Sequence, residues 1–341
     1  MAGANPVGLD IGSVSVRAVE TARGKDGPVV TNFGQVALPL GAVQAGVVQD
    51  EKAVTQALRH LWVTSKIRNR EVAVGISNPQ IVVREMSVAK LPDKELRQSL
   101  PFQVRDMLPL PVEKSLLDFY PLDESAADGN VRGLLIAAPK EAVIAAVQAI
   151  ERAGLRVARV DLASFALLRA LAYLDETVEA IVDIGARATT VVIHANGEPL
   201  IVRTIPRGGA EVTEMIAARL GATFAEAESL KCRVGLSTDE GPETAEVVRE
   251  AVRPLIGEIR NSFAYLTAGG RNSRVARLAL SGGGALLPGL MDALATQLGV
   301  EAVLPDPTMR LREPRRGGRH RFDHFRASVA VSIGLTLGAA A

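Results

Sequence analysis

The chain has 341 residues, of which 48% are hydrophobic and 23% are charged, and this composition excludes a disordered protein. Its 39 basic and 38 acidic residues nearly cancel, so no overall charge favours an anionic membrane, and nucleic acid is not expected as a partner. The single cysteine, Cys232, excludes an internal disulfide and a thiolate metal site, and we expect it to be buried as a small apolar residue.

Strand and helix patterns alternate through the first part of the chain. Apolar runs predict strands at Val7–Ile11, Val14–Glu20 and Val72–Ile76, and a 3.6-residue period predicts a helix at Glu51–Ser65. Residues 1–76 are therefore predicted to form the N-terminal part of a first α/β lobe.

The following residues, 77–159, are predicted to form an inserted subdomain. Strand patterns occur at Ile81–Ser87 and Leu134–Ala138, and helical patterns at Asp93–Met107 and Lys140–Ala153. Residues 160–178 are predicted to form a connecting helix of the first lobe. Residues 179–325 are predicted to form a second lobe with a helical subdomain, and residues 326–341 a C-terminal helix that returns to the first lobe.

Neither end of the chain predicts a membrane anchor. The first residues lack the basic and apolar pattern of a secretory signal. The apolar stretch at Ala327–Ala341 is shorter than the roughly 20 residues that span a bilayer. We therefore expect a cytoplasmic protein with no direct membrane span.

One segment of the sequence occurs twice. Gly8–Val19 and Ile181–Val192 each contain a short strand pattern, the tripeptide Asp-Ile-Gly, a small or polar stretch and a second strand pattern. Their acidic residues, Asp10 and Asp183, are 173 positions apart. Each segment therefore predicts a β-hairpin with a carboxylate at the end of its first strand.

Such hairpins carry the groups that phosphates and a divalent cation require. Glycine lets the backbone turn close to a ligand, successive N–H groups can bind an anion, and hydroxyls add donors. Two facing carboxylates, Asp10 and Asp183, can hold Mg²⁺, in part through its waters. The predicted phosphate ligands are Gly12, Ser13, Ser15, Gly185, Thr189 and Thr190.

A third segment, Arg277–Ala285, is a strand pattern that ends in three glycines, Gly282, Gly283 and Gly284. Consecutive glycines after a strand allow a flat base or ribose to approach the backbone. Taken alone, this run is also typical of a flexible connector.

In this order the three segments resemble the phosphate-one, phosphate-two and adenosine motifs of the actin, hexokinase and chaperone ATPase superfamily. Within it, Leu9–Glu20, Leu91–Tyr120, Arg203–Thr213 and Ala227–Lys231 are similar to the PilM family of type IV pilus proteins, which is itself similar to FtsA. The resemblance covers nearly the whole chain. It implies an α/β actin-like ATPase fold, with two lobes that each have a mixed sheet and flanking helices, plus an inserted subdomain of the FtsA and PilM type.

The resemblance also implies ATP and Mg²⁺ as cofactors, and it adds Arg17, Gly208, Gly209, Glu228 and Lys231 to the nucleotide-binding residues. PilM proteins commonly have lysine where this chain has Arg17. Glu228 and Lys231 are three residues apart, so a surface ion pair is the alternative for them.

For hydrolysis, Asp161 is the candidate for positioning water, and capping of the following helix is its alternative role. The resemblance implies at most a slow ATPase.

The implied function is that of an ATP-binding cytoplasmic scaffold in the inner-membrane platform of type IV pilus assembly. It would bind the cytoplasmic tail of a PilN-like membrane protein and so lie at the inner face of the membrane. The alternatives are an FtsA-like division protein and a sugar or acid kinase of the same superfamily. Self-association and the role of the Arg-rich segment at 310–326 are left open.

Overall fold

The computed structural model describes residues 5–25, 27–123, 129–268, 273–312 and 325–338. Most of the Arg-rich segment, residues 313–324, lies outside the described residues. No helix within the described ranges is both long enough and apolar enough to cross a membrane.

In these ranges the strands are β1 (Val7–Ile11), β2 (Ser15–Gly24), β3 (Gly27–Ala37), β4 (Val43–Gln44), β5 (Val47–Val48), β6 (Glu71–Ile76), β7 (Val82–Ala89), β8 (Ser115–Asp123), β9 (Asn130–Pro139), β10 (Arg156–Leu162), β11 (Val178–Ile184), β12 (Thr189–Ala195), β13 (Glu198–Ile205), β14 (Arg277–Ser281) and β15 (Glu301–Val303). The α-helices are α1 (Glu51–Ser65), α2 (Asp93–Gln103), α3 (Lys140–Arg152), α4 (Ala163–Leu171), α5 (Gly209–Leu220), α6 (Phe224–Val234), α7 (Pro242–Ala268), α8 (Leu290–Leu298) and α9 (Ala330–Leu337).

Helix α1 illustrates how the sequence sets an element's limits. The Asp50 side chain accepts a hydrogen bond from the Ala53 N–H at 2.9 Å, which satisfies a donor that the first turn leaves free. The helix ends at Lys66, whose backbone is left-handed. Between these ends, Val54, Leu58 and Leu61 recur at helical spacing and are buried in the first core.

Two five-stranded sheets share one topology. The first has the order β10-β6-β1-β2-β3, and the second has the order β13-β12-β11-β14-β15. In each, three strands are joined antiparallel and two more are added in parallel, β6 and β10 in the first sheet and β14 and β15 in the second. The predicted repeat therefore extends beyond the two hairpins to whole sheets.

Helices cover both sheets and join them. Helices α1 and α3 pack on the outer face of the first sheet, and α5, α7 and α8 contribute to the core of the second. Helix α9 packs against β1, β2 and β6, whereas α4 contacts β11 and β12, and α4 and α9 pack against each other. These two helices form a third core between the lobes.

The crossing of α4 and α9 depends on small residues. A Cβ added at Gly334 of α9 would lie 1.8 Å from the carbonyl oxygen of Ala166 in α4. One added at Gly8 would lie 1.9 Å from the carbonyl oxygen of Ser332. Because no side chain fits there, the two helices and β1 approach to backbone contact.

The insert is a three-stranded sheet, β7-β9-β8, with α2 packed on one face through Leu100 and the residue that follows the helix, Val104. Its extent is smaller than the predicted 77–159. Helix α3 packs in the first core and β10 pairs with β6, so residues 140–159 lie with the first lobe. The physical reason is that α3 has an apolar face, with Ala142, Ala146 and Ile150, which it buries on the first sheet.

Candidate functional site

The two Asp-Ile-Gly segments form matching hairpins. In the first, the Gly12 N–H donates to the Ser15 carbonyl at 3.0 Å, and in the second, the Gly185 N–H donates to the Ala188 carbonyl at 2.9 Å. These four residues occupy equivalent positions in the repeat. The turn geometry is therefore duplicated along with the sequence.

The two acidic residues lie near the ends of the first strands of these hairpins. Asp10 pairs across β1 and β2 with Arg17, and Asp183 pairs across β11 and β12 with Thr190. Each carboxylate therefore lies at the base of its own glycine turn.

Burial is the main cause of the raised pKa of the Asp183 carboxyl. Desolvation raises its pKa from the usual 3.8 to about 6, a hydrogen bond from Ser281 opposes the shift, and the neighbouring Asp10 charge adds to it. Ionisation of Asp183 is therefore costly unless positive charge is bound beside it.

Arg17 supplies positive charge beside the Asp10 carboxylate. Its Nη1 donates to Asp10 Oδ2 at 2.9 Å, and its Nε donates to Gln35 Oε1 at 3.2 Å. The arginine and aspartate side chains are only 18% and 16% exposed, so this pair is better screened from water than an ordinary surface ion pair.

The hydroxyls around the hairpins differ in whether they already have a hydrogen-bond partner. Ser15 is 2% exposed, and its Oγ has no hydrogen-bond partner among the described residues. Thr190 Oγ1 lies 3.5 Å from Ser77 Oγ, which belongs to the first lobe. Thr189 instead donates to the Arg207 carbonyl at 2.9 Å and so helps to hold β12 against the segment before α5.

Gly208 and Gly209 pack directly on the second hairpin. The Gly209 N–H donates to the Gly185 carbonyl at 2.9 Å, and the Ala210 N–H donates to the Ala186 carbonyl at 2.8 Å. A Cβ at Gly208 would lie 2.4 Å from the Gly185 oxygen. The N-terminus of α5 is thus held close behind the phosphate-type turn.

Glu228 and Lys231 form a network beneath that helix. Lys231 Nζ donates to Glu228 Oε2 at 2.7 Å, to Thr213 Oγ1 at 2.9 Å and to the Gly209 carbonyl at 3.2 Å. Lys231 is 13% exposed and Glu228 is 43% exposed, and the additional bonds of Lys231 distinguish this pair from an isolated surface ion pair. Bonds from Lys231 and Thr213 hold the pKa of Glu228 below its usual range although burial opposes this.

Cys232, the neighbour of Lys231, was expected to be buried, and this prediction was wrong. The side chain is exposed, and its Sγ donates to Glu228 Oε1 at 3.7 Å. It lies on the polar side of α6, which buries Ala227 and Val234 instead.

The glycine run packs against the strand that carries Asp183. Gly282 has a φ of 82°, and a Cβ there would lie 2.4 Å from the Ile184 carbonyl oxygen. A Cβ at Gly284 would lie 2.4 Å from the Ile184 side chain, whereas one at Gly283 would meet nothing within 4 Å. Two of the three glycines are thus required by packing, and Gly283 borders open space.

Asp161 was predicted on the connecting helix but lies on β10, because α4 begins only at Ala163. Its carboxylate pairs with Arg169 and accepts the Leu162 N–H at 2.8 Å. Arg169 in turn donates to the Gly334 carbonyl at 3.0 Å. The carboxylate therefore belongs to a network that joins β10, α4 and α9, and its role in hydrolysis stays a prediction.

Sequence reasoning missed Ser77, Thr213 and Ser281. Ser77 follows β6 directly, and β6 is the parallel neighbour of β1, so its position after a buried strand was the available signal. Ser281 was noted only as the residue before the glycines, although its register opposite Asp183 makes it a partner of that carboxylate.

Two sheets of one topology, crossing helices between them and facing phosphate-type hairpins define an actin-like protein of two lobes. The sequence model of the family described as type IV pilus assembly protein PilM matches residues 8–340. The chain belongs to this family, as the sequence resemblance predicted.

Comparison with solved structures and curated proteins agrees with this fold. A structure described as the PilM-PilN type IV pilus biogenesis complex is 28% identical, with a TM-score of 0.88 and 99% of both chains covered. The ethanolamine utilization protein EutJ from Carboxydothermus hydrogenoformans is 16% identical, with a TM-score of 0.61 over 99% of this chain and 90% of its own. The cell division protein FtsA of Bacillus subtilis is 23% identical over 256 residues, which are 67% of this chain but only 58% of FtsA.

Proposed function

We propose that this protein is a nucleotide-responsive scaffold of type IV pilus assembly, which binds ATP with Mg²⁺ between its lobes and a membrane-protein tail on its surface. The observation that carries the nucleotide proposal is the pair of matching hairpins, one from each lobe, each with a carboxylate near the end of its first strand, Asp10 and Asp183. Each lobe contributes one turn, so a single triphosphate would contact both.

The residues present fit a hydrated Mg²⁺. Oxygen ligands are the ones this ion prefers, and it usually keeps several waters while binding one or two carboxylates and substrate phosphates. Among the described residues, no group of three or more acidic, histidine or cysteine side chains is close enough to hold a metal alone. Asp10 and Asp183 would therefore bind the ion together with phosphate oxygens, and the ion would supply positive charge to both.

The chain's own groups then have separate tasks. The turn N–H groups and the unpaired Ser15 hydroxyl would bind phosphate oxygens, with Ser13 and Thr190 beside them. Arg17, already directed to Asp10, would add charge near the same oxygens. Gly283, which borders open space, would allow the adenosine to approach the backbone.

Closure of the lobes would follow from contact with both hairpins. A ligand shifts an equilibrium between two arrangements only through its different affinity for them. Phosphates that touch both hairpins meet that condition. Helices α4 and α9 cross between the lobes, so they are the natural place for the rotation.

The proposed partner is the cytoplasmic tail of a PilN-like membrane protein. The similar solved structure is a PilM-PilN complex, and its PilM-like chain is covered almost completely by this one. The insert presents an edge strand, β8, whose Leu116 and Tyr120 are exposed. An extended tail can add to such an edge, which would bring the protein to the inner face of the membrane.

Binding rather than rapid turnover is the proposed role of the nucleotide. Catalysis of hydrolysis needs a group that positions water. Asp161, the candidate from the sequence, is engaged by Arg169 and the Leu162 N–H.

Calorimetric titration of ATP with Mg²⁺ into the wild type and the Asp10→Ala and Asp183→Ala variants tests the nucleotide site. Capture of a PilN-like tail peptide by the same proteins, with and without nucleotide, tests the scaffold. We expect the variants to lose nucleotide binding and the nucleotide effect on capture. Unchanged nucleotide affinity in both variants would reject the site, while capture that ignores nucleotide would leave only a passive scaffold.

A further inference from the structure

One guanidinium joins the insert to the second lobe. Arg132 lies on β9, and its Nη1 donates to Glu85 Oε1 of β7 at 3.1 Å, within the insert. Its Nη2 donates to Glu198 Oε1 at 3.3 Å, and Glu198 is the first residue of β13 in the second lobe. The arginine therefore has one partner on each side of this boundary.

Side chains form the contact between the insert and the second lobe. Strand β7 is one edge of the insert's sheet, β13 is one edge of the second-lobe sheet, and the two strands lie against each other. In the part of the chain that the structure describes, they belong to separate sheets and no strand pairing joins them. No ladder of backbone hydrogen bonds therefore fixes the two edges to each other, and the ion pair is one of the side-chain contacts between them.

The first lobe contacts the second lobe at another point, beside the candidate nucleotide site. Ser77 follows β6 and lies 3.5 Å from Thr190 of the second hairpin. On β12, Thr190 is five residues from Ala195, the residue that pairs with Glu198. Five residues of strand correspond to about 17 Å. The first lobe therefore contacts the second lobe at the phosphate hairpin, and the insert contacts it about 17 Å away along the strand.

We propose that the ion pair between Arg132 and Glu198 couples lobe closure to the insert, so that nucleotide binding changes the partner surface on β8. This inference rests on the proposed function. The insert is joined through the chain to the first lobe at both ends, so rotation of the second lobe must either break the pair or move the insert. Arg132 is a positioning residue in this scheme.

The size of the coupling is limited by exposure. The side chains of Arg132 and Glu198 are 42% and 41% exposed, and exposed ion pairs contribute little because water and salt screen them. We therefore expect a modest coupling, in which the ratio of tail affinities with and without nucleotide changes roughly two- to fivefold on loss of the pair.

The test compares Glu198→Gln with Glu85→Gln, since each removes one of the two partners of Arg132. The measurement is the Kd of a fluorescent synthetic PilN-like tail peptide, by anisotropy, with and without ATP and Mg²⁺. In Glu198→Gln we expect the ratio of the two Kd values to fall towards one by roughly two- to fivefold. In Glu85→Gln we expect the wild-type ratio, because the contact between the insert and the second lobe remains.

Exchanging the two charges tests whether the ion pair between Arg132 and Glu198 is itself responsible for the coupling. The exchange Arg132→Glu with Glu198→Arg, made together with Glu85→Gln so that position 132 does not face a second carboxylate, should recover the wild-type ratio if the pair itself carries the coupling. Equal loss in both single variants, or a wild-type ratio in Glu198→Gln, would overturn the inference while leaving the proposed function intact. A wild type that binds the peptide equally with and without nucleotide would instead refute the switching part of the proposed function, and this coupling with it.

Discussion

Replacing Asp183 by asparagine should stabilise the ligand-free protein while removing its nucleotide site. The folded-state pKa of this carboxyl is raised from 3.8 to about 6, chiefly by burial. The difference between these values corresponds to about 3 kcal/mol, at about 1.4 kcal/mol for each pKa unit. Asp183 as a whole residue is only part-buried, so screening by water removes about 1 kcal/mol of this. We therefore expect Asp183→Asn to be more stable by about 2 kcal/mol near pH 7.

The sign of the pH dependence follows from the direction of the shift. An acid with a raised folded-state pKa holds its proton more tightly in the folded protein, so its favourable contribution is complete below pH 3.8 and is lost as the pH rises through about 6. The stability difference between variant and wild type should therefore fall from about 2 kcal/mol near pH 7 to less than about 1 kcal/mol near pH 4.5.

Urea unfolding without nucleotide and divalent cations, at both pH values, measures this difference. Asp239→Asn serves as the matched control, because Asp239 is an exposed aspartate on the loop after α6. We expect that control to leave the free energy of unfolding nearly unchanged. A difference for Asp183→Asn that stays constant between the two pH values would refute the argument that this carboxyl is buried beside a second acid.

Three further predictions concern packing and the nucleotide site. Gly334→Ala should lower the free energy of unfolding by roughly 2 kcal/mol or more, seen in urea midpoints, because its methyl group would meet the Ala166 carbonyl at 1.8 Å; a midpoint equal to wild type would contradict this. Gly283→Ala should leave the urea midpoint unchanged, since its Cβ faces open space. The same methyl group should weaken ATP binding in calorimetry, because it would occupy the space proposed for adenosine, and unaltered affinity would count against an adenosine contact there. Lys231→Met should weaken ATP binding and lower the thermal midpoint, because it removes the ammonium that neutralises Glu228 and donates to Thr213 and to the Gly209 carbonyl. Differential scanning calorimetry that shows no change would argue against this network.

The two hairpins show which features of the site can be predicted from neighbouring residues alone. Asp10 and Asp183 were identified because a strand, an acidic residue and a glycine turn are encoded by neighbouring residues, and the same pattern occurs twice. The first core was predictable for the same reason, since α1 repeats apolar residues at helical spacing.

The predictions that were wrong concern residues whose surroundings come from distant segments. Cys232 is a small residue of a type that is often buried, but its exposure depends on which face of α6 packs on the second lobe. Residues 140–159 follow the insert in the chain, yet α3 and β10 find their partners in the first lobe. Sequence order gives no information on that choice.

The sequence by itself determined the family, the repeated hairpins and most of the strands and helices, because each of these depends on the order of nearby residues. Only the tertiary structure decided that Arg17 pairs with Asp10, that Asp161 is engaged by Arg169, and that Arg132 contacts both Glu85 and Glu198. Such contacts join residues far apart in the chain. They depend on the distances and burial that packing creates, and the local pattern around each residue contains neither.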